Sequence, residues 1–236
     1  MALLSKDGAE FLLRWLHFLS GITWIGLLYY FNFVQGPFFA EADAATKSVA
    51  TQKLVPRALW WFRWSALLTF LSGALIIANR AAANAPGVPL MVPWSAAIFT
   101  GALFGTVMLA NVWGVIWRNQ KVVIASAVAA ASGGQANPAA AAAGRRAFLA
   151  SRTNVVFSIP MLFFMGAATH WPPTRITHPT EYWVALLVLV ALVELNALKA
   201  TKGITTKPIE TIPGVITTGF VLWAVVYVLV KLVLSA

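Results

Sequence analysis

The sequence contains no cysteine, and this absence removes several classes of redox chemistry at once. Without thiolates the chain cannot form a disulfide, hold an iron–sulfur cluster, use a cysteine nucleophile or attach a c-type haem covalently. Charged residues are also scarce, at 10% of the 236 residues, whereas 60% are hydrophobic. Soluble domains carry far more charge than this. The composition therefore indicates an integral membrane protein in which any redox cofactor is held without cysteine.

Motifs for nucleotide binding and hydrolytic catalysis are absent as well. The sequence has no Walker motif, no dinucleotide fingerprint and no Ser/His/Asp order, and no histidine pair has the short helical spacing of a metal site. The net charge of +10 comes from basic residues that are scattered in short connections between apolar runs. Membrane orientation explains such a distribution better than nucleic-acid binding does. We expect a lipid bilayer as the surroundings and no nucleic-acid partner.

Six apolar stretches are each long enough to cross a bilayer, which requires about 20 residues. They predict an all-α bundle in a single transmembrane domain, residues 1–236, with spans near 11–34, 58–78, 94–117, 148–169, 181–199 and 213–234. The Ala-rich segment 118–147 is predicted to be a flexible loop, and a pair of short helices is the alternative for its Ala-rich run. Of the 17 Lys and Arg residues, twelve lie on one side of this layout and five on the other. The positive-inside rule then places both termini outside, on the periplasmic face of a bacterial inner membrane.

The sequence has three histidines, of which His17 lies inside the first apolar span. An ionisable residue in hydrocarbon is costly and usually has a function. His17, Gly21 and Trp24 fall on one helical stripe, and the glycine one turn deeper than the imidazole leaves room for a flat group. His170 in the antiparallel fourth span has Gly166 in the same relation. We predict that His17 and His170 approach each other near the outer face and ligate one haem b from opposite sides.

Four further residues belong to the predicted site or lie near it. His178, in the loop after the fourth span, is a reserve iron ligand, and Arg14 and Arg175 are placed to pair with the haem propionates. Glu194 lies within the fifth span, where it is either a proton or quinone site or the partner of an inner arginine. Histidines and aromatic residues at helix ends also serve as interfacial anchors and packing, so a purely structural role stays open.

Several motifs occur in a consistent order along the chain. They are Arg14-Trp-Leu-His17 with Gly21-Ile-Thr-Trp-Ile-Gly26, Asn111-Val-Trp-Gly-Val-Ile-Trp117 with Asn119-Gln-Lys121, Arg145-Arg-Ala147, Ser151-Arg-Thr-Asn154 and Ser158-Ile-Pro-Met-Leu-Phe-Phe-Met165. Together they resemble the membrane domain of the bacterial membrane-bound urate hydroxylases, the urate oxidase N-terminal domain family. The resemblance implies an inner-membrane domain that oxidises urate to 5-hydroxyisourate and passes electrons to a cytochrome c. Because the sequence has no Cys-x-x-Cys-His motif, we expect a separate c-type cytochrome as the acceptor.

Two other classes of function are compatible with the same sequence. The early-span histidine followed by Gly-x-x-Trp also resembles small membrane-bound protoporphyrinogen oxidases and copper-resistance membrane proteins, which implies handling of haem or metal. The aromatic and small-residue faces would equally suit a non-catalytic accessory or assembly subunit of a larger respiratory or oxygenase membrane complex. A reduced-minus-oxidised spectrum of the purified protein separates a redox protein from a structural subunit.

Overall fold

The computed structural model describes residues 5–83, 92–173, 175–199 and 203–234, and these are helical with no strand. This confirms the predicted all-α class. The α-helices are α1 (Lys6–Tyr29), α2 (Gly36–Glu41), α3 (Ala44–Ala83), α4 (Pro93–Ala110), α5 (Trp117–Ala131), α6 (Ala140–His170), α7 (Pro179–Lys199), α8 (Lys207–Glu210) and α9 (Ile212–Leu229). Short π-helical turns follow α1, α4 and α9, at Tyr30–Gln35, Asn111–Ile116 and Val230–Leu234.

The described helices contain six segments that are long and apolar enough to cross a membrane, as the sequence predicts. They are Asp7–Glu41, Ala44–Ala82, Pro93–Ala131, Ala140–His170, Pro179–Lys199 and Ile212–Leu234. Their apolar windows have mean hydropathies between 1.4 and 2.1, which suits the hydrocarbon layer of a bilayer. The chain is therefore a multi-pass membrane protein. The placement of both termini outside stays a prediction.

The Ala-rich segment over 118–147 is mostly helical, as in the alternative of two helices and unlike a flexible loop. Helix α5 continues to Ala131 and α6 begins at Ala140, so most of the segment is helical and only 132–139 connect the two helices. Alanine has the highest helix propensity of any residue, and it extends both helices past the apolar spans. Gly133 ends this extension with φ 81°, a conformation that glycine adopts without strain. The backbone N–H of Asn137 donates to Ser126 Oγ at 2.9 Å, so the connecting segment 132–139 is hydrogen bonded to α5.

The chain divides into two compact units at the Pro89–Leu90 bond. The first unit contains α1 to α3, and the second contains α4 to α9. In the sequence this boundary lies in a segment rich in proline and glycine, of which residues 84–91 are outside the described residues. The same segment also separates two predicted spans, so its composition does not distinguish a unit boundary from an ordinary connection.

In the first unit α1 and α3 pack antiparallel to each other. Near the start of α1, Glu10 Oε2 accepts a hydrogen bond from Nδ2 of Asn79 near the end of α3, at 3.3 Å. Beyond the other end of α1, the ring of Phe31 meets the ring of Phe62 edge to face, with their centroids 5.5 Å apart. These contacts fix which side of α1 faces α3 along its whole length.

In the second unit α6 is the central helix. The seven consecutive side chains of residues 152–158 are all buried, a pattern expected only of a helix surrounded on every side. Helices α4, α5, α7, α8 and α9 all contact it. Polar side chains on this part of α6 are therefore held between helices.

Helix α4 approaches α6 very closely at Gly101. A Cβ placed on Gly101 would lie 3.0 Å from Met165 Cγ, 3.1 Å from the backbone nitrogen of Met165 and 3.2 Å from the carbonyl oxygen of Met161. Gly105, one turn later, would place its Cβ 3.5 Å from Met161 Sδ. The Gly-x-x-x-Gly pattern of this span thus forms a helix contact of the kind in which small residues let two backbones meet.

Replacing Gly101 by Leu is expected to destabilise the second unit by about 1–3 kcal/mol, because the new side chain meets backbone atoms that cannot move aside without separating α4 from α6. The free energy of unfolding, measured by titration with denaturing detergent in mixed micelles, tests this. Gly26→Leu is the control, since no described atom lies within 4 Å of a Cβ at that helical glycine. Equal stability of the two variants would contradict the close packing of α4 on α6.

Candidate functional site

His17 lies on the side of α1 that faces α3. Its Nδ1 atom is 3.2 Å from Ser72 Oγ. A Cβ placed on Gly73 would lie 3.0 Å from His17 Cε1 and 3.3 Å from Nδ1. The imidazole therefore packs directly on the bare backbone of Gly73, and a larger residue at that position would displace the ring.

The hydrogen bonds of Ser72 favour one tautomer of His17. The serine hydroxyl has one proton and lies 2.7 Å from the carbonyl oxygen of Leu68, to which it donates. The same hydroxyl also lies 3.0 Å from the carbonyl oxygen of Thr69, so two backbone acceptors compete for its proton. The Ser72 oxygen is then best placed to accept at the 3.2 Å contact with His17, which favours the tautomer with the proton on Nδ1. Nε2 keeps its lone pair, which is the form in which a neutral imidazole binds a metal. This arrangement resembles the outer hydrogen bonds that orient metal-ligating histidines in general.

Gly21 also faces α3. A Cβ at Gly21 would lie 3.8 Å from Cγ2 of Thr69, an ordinary van der Waals contact. Within the first unit, the glycine that adjoins the imidazole of His17 is thus Gly73 of α3, while Gly21 adjoins the Thr69 methyl group. The role of Gly21 as a surface for a macrocycle stays a prediction.

The predicted tryptophan and arginines have different surroundings. Trp24 is only 2% exposed, and its indole Nε1 is buried without a hydrogen-bond partner among the described residues. Arg14 pairs with Glu10 one turn earlier on α1, with Nη2 and Oε1 2.5 Å apart. Arg175 lies in the second unit and is exposed. Pairing of the two arginines with propionates stays a prediction.

The other two histidines belong to the second unit and are exposed. His170 is the last residue of α6, and no described atom lies within 4 Å of a Cβ at Gly166, one turn earlier. Nδ1 of His178 is 3.7 Å from Oε1 of Glu181, at the start of α7. Because His17 belongs to the first unit, its pairing with His170 stays a prediction, as does the reserve role of His178.

Glu194 belongs to a polar cluster inside the second unit, formed with Asn111 and Asn154. Asn111 Nδ2 donates to Glu194 Oε2 at 3.0 Å and to Asn154 Oδ1 at 2.9 Å. Asn154 Nδ2 in turn donates to the carbonyl oxygen of Met108 at 3.0 Å. Among the described residues the partner of the Glu194 carboxyl group is thus an amide, not an arginine.

The π-helical turn Asn111–Ile116 forms part of this cluster. Asn111 is the first residue of the turn and is 2% exposed, while Asn154 of α6 is completely buried. A π-helical turn accommodates an extra residue in a helix and is frequent at functional sites. Glu194 is partly exposed, and its Oε1 accepts no hydrogen bond from a described residue. The cluster can therefore hold the carboxyl group through one oxygen and leave the other for a proton.

Sequence reasoning identified His17 and Glu194 but not the residues that hold them. Ser72 and Gly73 are small residues in an apolar span and give no sequence signal of their own. Asn111 and Asn154 do give one, because an amide in an apolar span must find a hydrogen-bond partner. The described residues contain no group of three or more His, Cys, Asp or Glu side chains that could hold a metal ion.

These features define a multi-pass helical membrane protein with polar groups arranged inside its helix packing. The family model described as urate oxidase N-terminal matches residues 88–230, which is more than half of the chain. The chain belongs to this family, which confirms the resemblance of its motifs. The matched stretch begins near the boundary of the second unit and includes Asn111, Asn154 and Glu194, whereas His17 lies outside it. No curated protein and no solved structure matches the chain.

Proposed function

We propose that this chain is a membrane-bound haem b oxidoreductase domain of the urate hydroxylase type, located in a bacterial inner membrane. It oxidises urate to 5-hydroxyisourate and passes the electrons to a separate c-type cytochrome near the periplasmic face. The observation that carries the proposal is the family match over residues 88–230. The His17 arrangement and the Glu194 cluster supply groups suited to the two parts of this reaction, electron transfer and proton release.

The proposed reaction adds the oxygen atom of one water molecule to urate. Urate and water give 5-hydroxyisourate, two electrons and two protons. The two electrons reduce two molecules of a one-electron carrier such as a c-type cytochrome. The protein must therefore provide a route for electrons and separate places that accept protons.

His17 is the proposed iron ligand in the first unit. The Ser72 contact favours protonation at Nδ1 and leaves Nε2 as the ligating atom, so the hydrogen-bond donors and acceptors present fit an imidazole-ligated haem. Gly73 keeps the ring in place because no side chain intervenes. His170 is the proposed second ligand, and Arg14 and Arg175 the proposed propionate partners. A bound haem would accept and pass on single electrons.

Glu194 is the proposed proton-accepting group. Asn111 holds Oε2, while Oε1 has no partner among the described residues, so the carboxyl group can take up and release a proton without breaking the cluster. Asn154 fixes the amide of Asn111 by accepting its other N–H. The same carboxyl group could instead hydrogen bond a quinone in the bilayer, and the acceptor used in the assay distinguishes the two roles.

Membranes that contain this chain are expected to reduce added cytochrome c when urate is supplied, with two cytochromes reduced per urate. Glu194→Gln should slow this reduction by about 100-fold, the lower end of the usual contribution of a general acid or base. Asn119→Ala serves as the control, because the hydrogen bond of its side chain among the described residues is to the backbone of Val115, one turn earlier. A quinone role predicts that added quinone is reduced in place of cytochrome c.

Deletion of the chain tests the same proposal in cells. Cells without it should consume urate more slowly than the parent strain. If they consume urate at the parental rate, and membranes with the chain reduce no cytochrome c on addition of urate, the enzymatic function is wrong. Co-purification with a large membrane complex at fixed stoichiometry would then support the accessory function.

A further inference from the structure

Arg152 is a buried cation that the proposed redox chemistry does not use. It lies on α6 and is 5% exposed. Its Nε and Nη1 atoms are buried and donate no hydrogen bond to any described residue. A guanidinium group stays protonated in proteins, so this position holds a positive charge with unused donors.

The immediate neighbour of Arg152 is the ring of Phe148, one turn earlier on α6. The Arg152 Cζ atom lies 5.1 Å from the centre of this ring, and Cζ of Arg145 lies 5.5 Å from it. Arg145 forms an ion pair with Glu210 of α8. Thr206 also donates to Glu210, at 3.0 Å. Glu210 is thus engaged by Arg145 and Thr206, and the contact of the Arg152 guanidinium among the described residues is with the ring of Phe148.

A cation–π contact does not offset the burial of a guanidinium group. Removing an ion from water costs far more than one aromatic contact returns, and buried charges in proteins are normally paired and fully hydrogen bonded. An ionisable residue at membrane depth is by default a candidate functional residue. The two unused donors of Arg152 are therefore complementary to an anion that is not part of this chain.

The position of Arg152 shows where such an anion would enter. Residues 145, 148 and 152 lie on one helical stripe of α6. The start of this stripe contacts α8 through the ion pair between Arg145 and Glu210. Four residues further along, the carbonyl oxygen of Val156 lies 3.3 Å from a Cβ placed on Gly219 of α9. The stripe thus faces α8 and α9. Under the predicted orientation this end of the unit is the inner, basic side of the membrane, where lipid phosphates and soluble anions are both available.

We propose that Arg152 is the centre of a phosphate-binding site between α6 and the α8–α9 segment. Nε and Nη1 donate to oxygens of the phosphate group, and Phe148 supports the plane of the guanidinium. Arginine binds phosphate with short charge-assisted hydrogen bonds, and basic pockets between transmembrane helices bind anionic headgroups. The phosphate group belongs either to an anionic phospholipid or to free phosphate. This site is independent of the haem and of urate oxidation.

The test compares the purified protein with Arg152→Gln and with Arg146→Gln, which removes the same charge from an exposed residue of the same helix. Thermal unfolding is measured in neutral detergent with phosphate or chloride at equal ionic strength. It is also measured in phosphatidylcholine nanodiscs with and without phosphatidylglycerol. The protein and Arg146→Gln should be stabilised by phosphate or by phosphatidylglycerol, and Arg152→Gln should bind the effective probe at least about tenfold more weakly.

The outcomes separate the two sources of the phosphate group. Stabilisation by phosphate in detergent identifies free phosphate, and stabilisation only by phosphatidylglycerol identifies a lipid headgroup. No stabilisation of the unaltered protein by either probe overturns the proposal, as does equal stabilisation of Arg152→Gln. If Arg152→Gln does not fold, Arg152→Lys takes its place, because it keeps the charge and removes the guanidinium. Unchanged affinity in Arg152→Lys would overturn the assignment to Nε and Nη1.

Discussion

Replacing His17 by Ala is expected to abolish the Soret band of the purified protein while the chain still inserts into the membrane. The imidazole of His17 is the proposed iron ligand. Among the described residues, the atoms that lie within 4 Å of a Cβ at Gly73 belong to this imidazole, so no second ligand is at hand there to replace it. Alanine is smaller and apolar, so its insertion into the bilayer costs nothing extra. The measurement is the absorbance spectrum of protein purified in detergent after haem supplementation, normalised to protein concentration.

Two further variants give this experiment its controls. His178→Ala changes an exposed histidine whose Nδ1 atom lies near Glu181, and this variant should keep the Soret band. Loss of the band in His178→Ala would show that His178, the reserve ligand, binds the iron. Ser72→Ala should keep the haem but alter its reduction potential, because the hydrogen bond that orients the imidazole and raises its basicity is removed. Full retention of haem by His17→Ala would show that His17 is not a ligand.

The second large effect is expected for Asn111→Leu, which should destabilise the second unit by about 2–4 kcal/mol. Leucine has a similar volume but no N–H group, so it leaves Glu194 Oε2 and Asn154 Oδ1 without their donor. The unfolding free energy in mixed micelles measures this loss. Asn119→Leu is the matched control, since within the described part of the chain the Asn119 side chain bonds to the backbone one turn earlier and to no other element.

A double-mutant cycle makes this prediction specific to the cluster. Because Asn111 and Asn154 share a hydrogen bond, Asn111→Leu and Asn154→Leu together should cost less than the sum of the single changes. Additive effects would mean that the two amides stabilise the unit independently. If Asn111→Leu were as stable as Asn119→Leu, the cluster would contribute nothing to stability.

Much of the architecture is predictable because a bilayer imposes a simple rule on the chain. Each span needs about 20 apolar residues and must satisfy its backbone hydrogen bonds by forming a helix, so hydropathy alone gives the six spans. The motifs around Asn111 and Asn154 gave the family correctly. These residues lie in the buried interior of the second unit, where packing restricts which side chain fits.

The surroundings of the predicted site residues could not be read in the same way. The stripe of His17 on α1 follows from helical periodicity, but its contact with Ser72 and Gly73 depends on how α1 and α3 are rotated and shifted against each other. In the Ala-rich segment, low complexity favours a loop and alanine favours helices, and the packing of α5 against α6 accompanies the helical form. In both cases a local pattern lacked the tertiary information that decides the outcome.

The helical extension of the third span has a consequence for how this protein meets its surroundings. Residues Pro93–Ala131 form one continuous 39-residue helical segment. At 1.5 Å per residue it measures about 58 Å, against about 30 Å for the hydrocarbon layer. The segment is therefore longer than the hydrocarbon layer by about 28 Å, and this excess length must lie among the headgroups or in water.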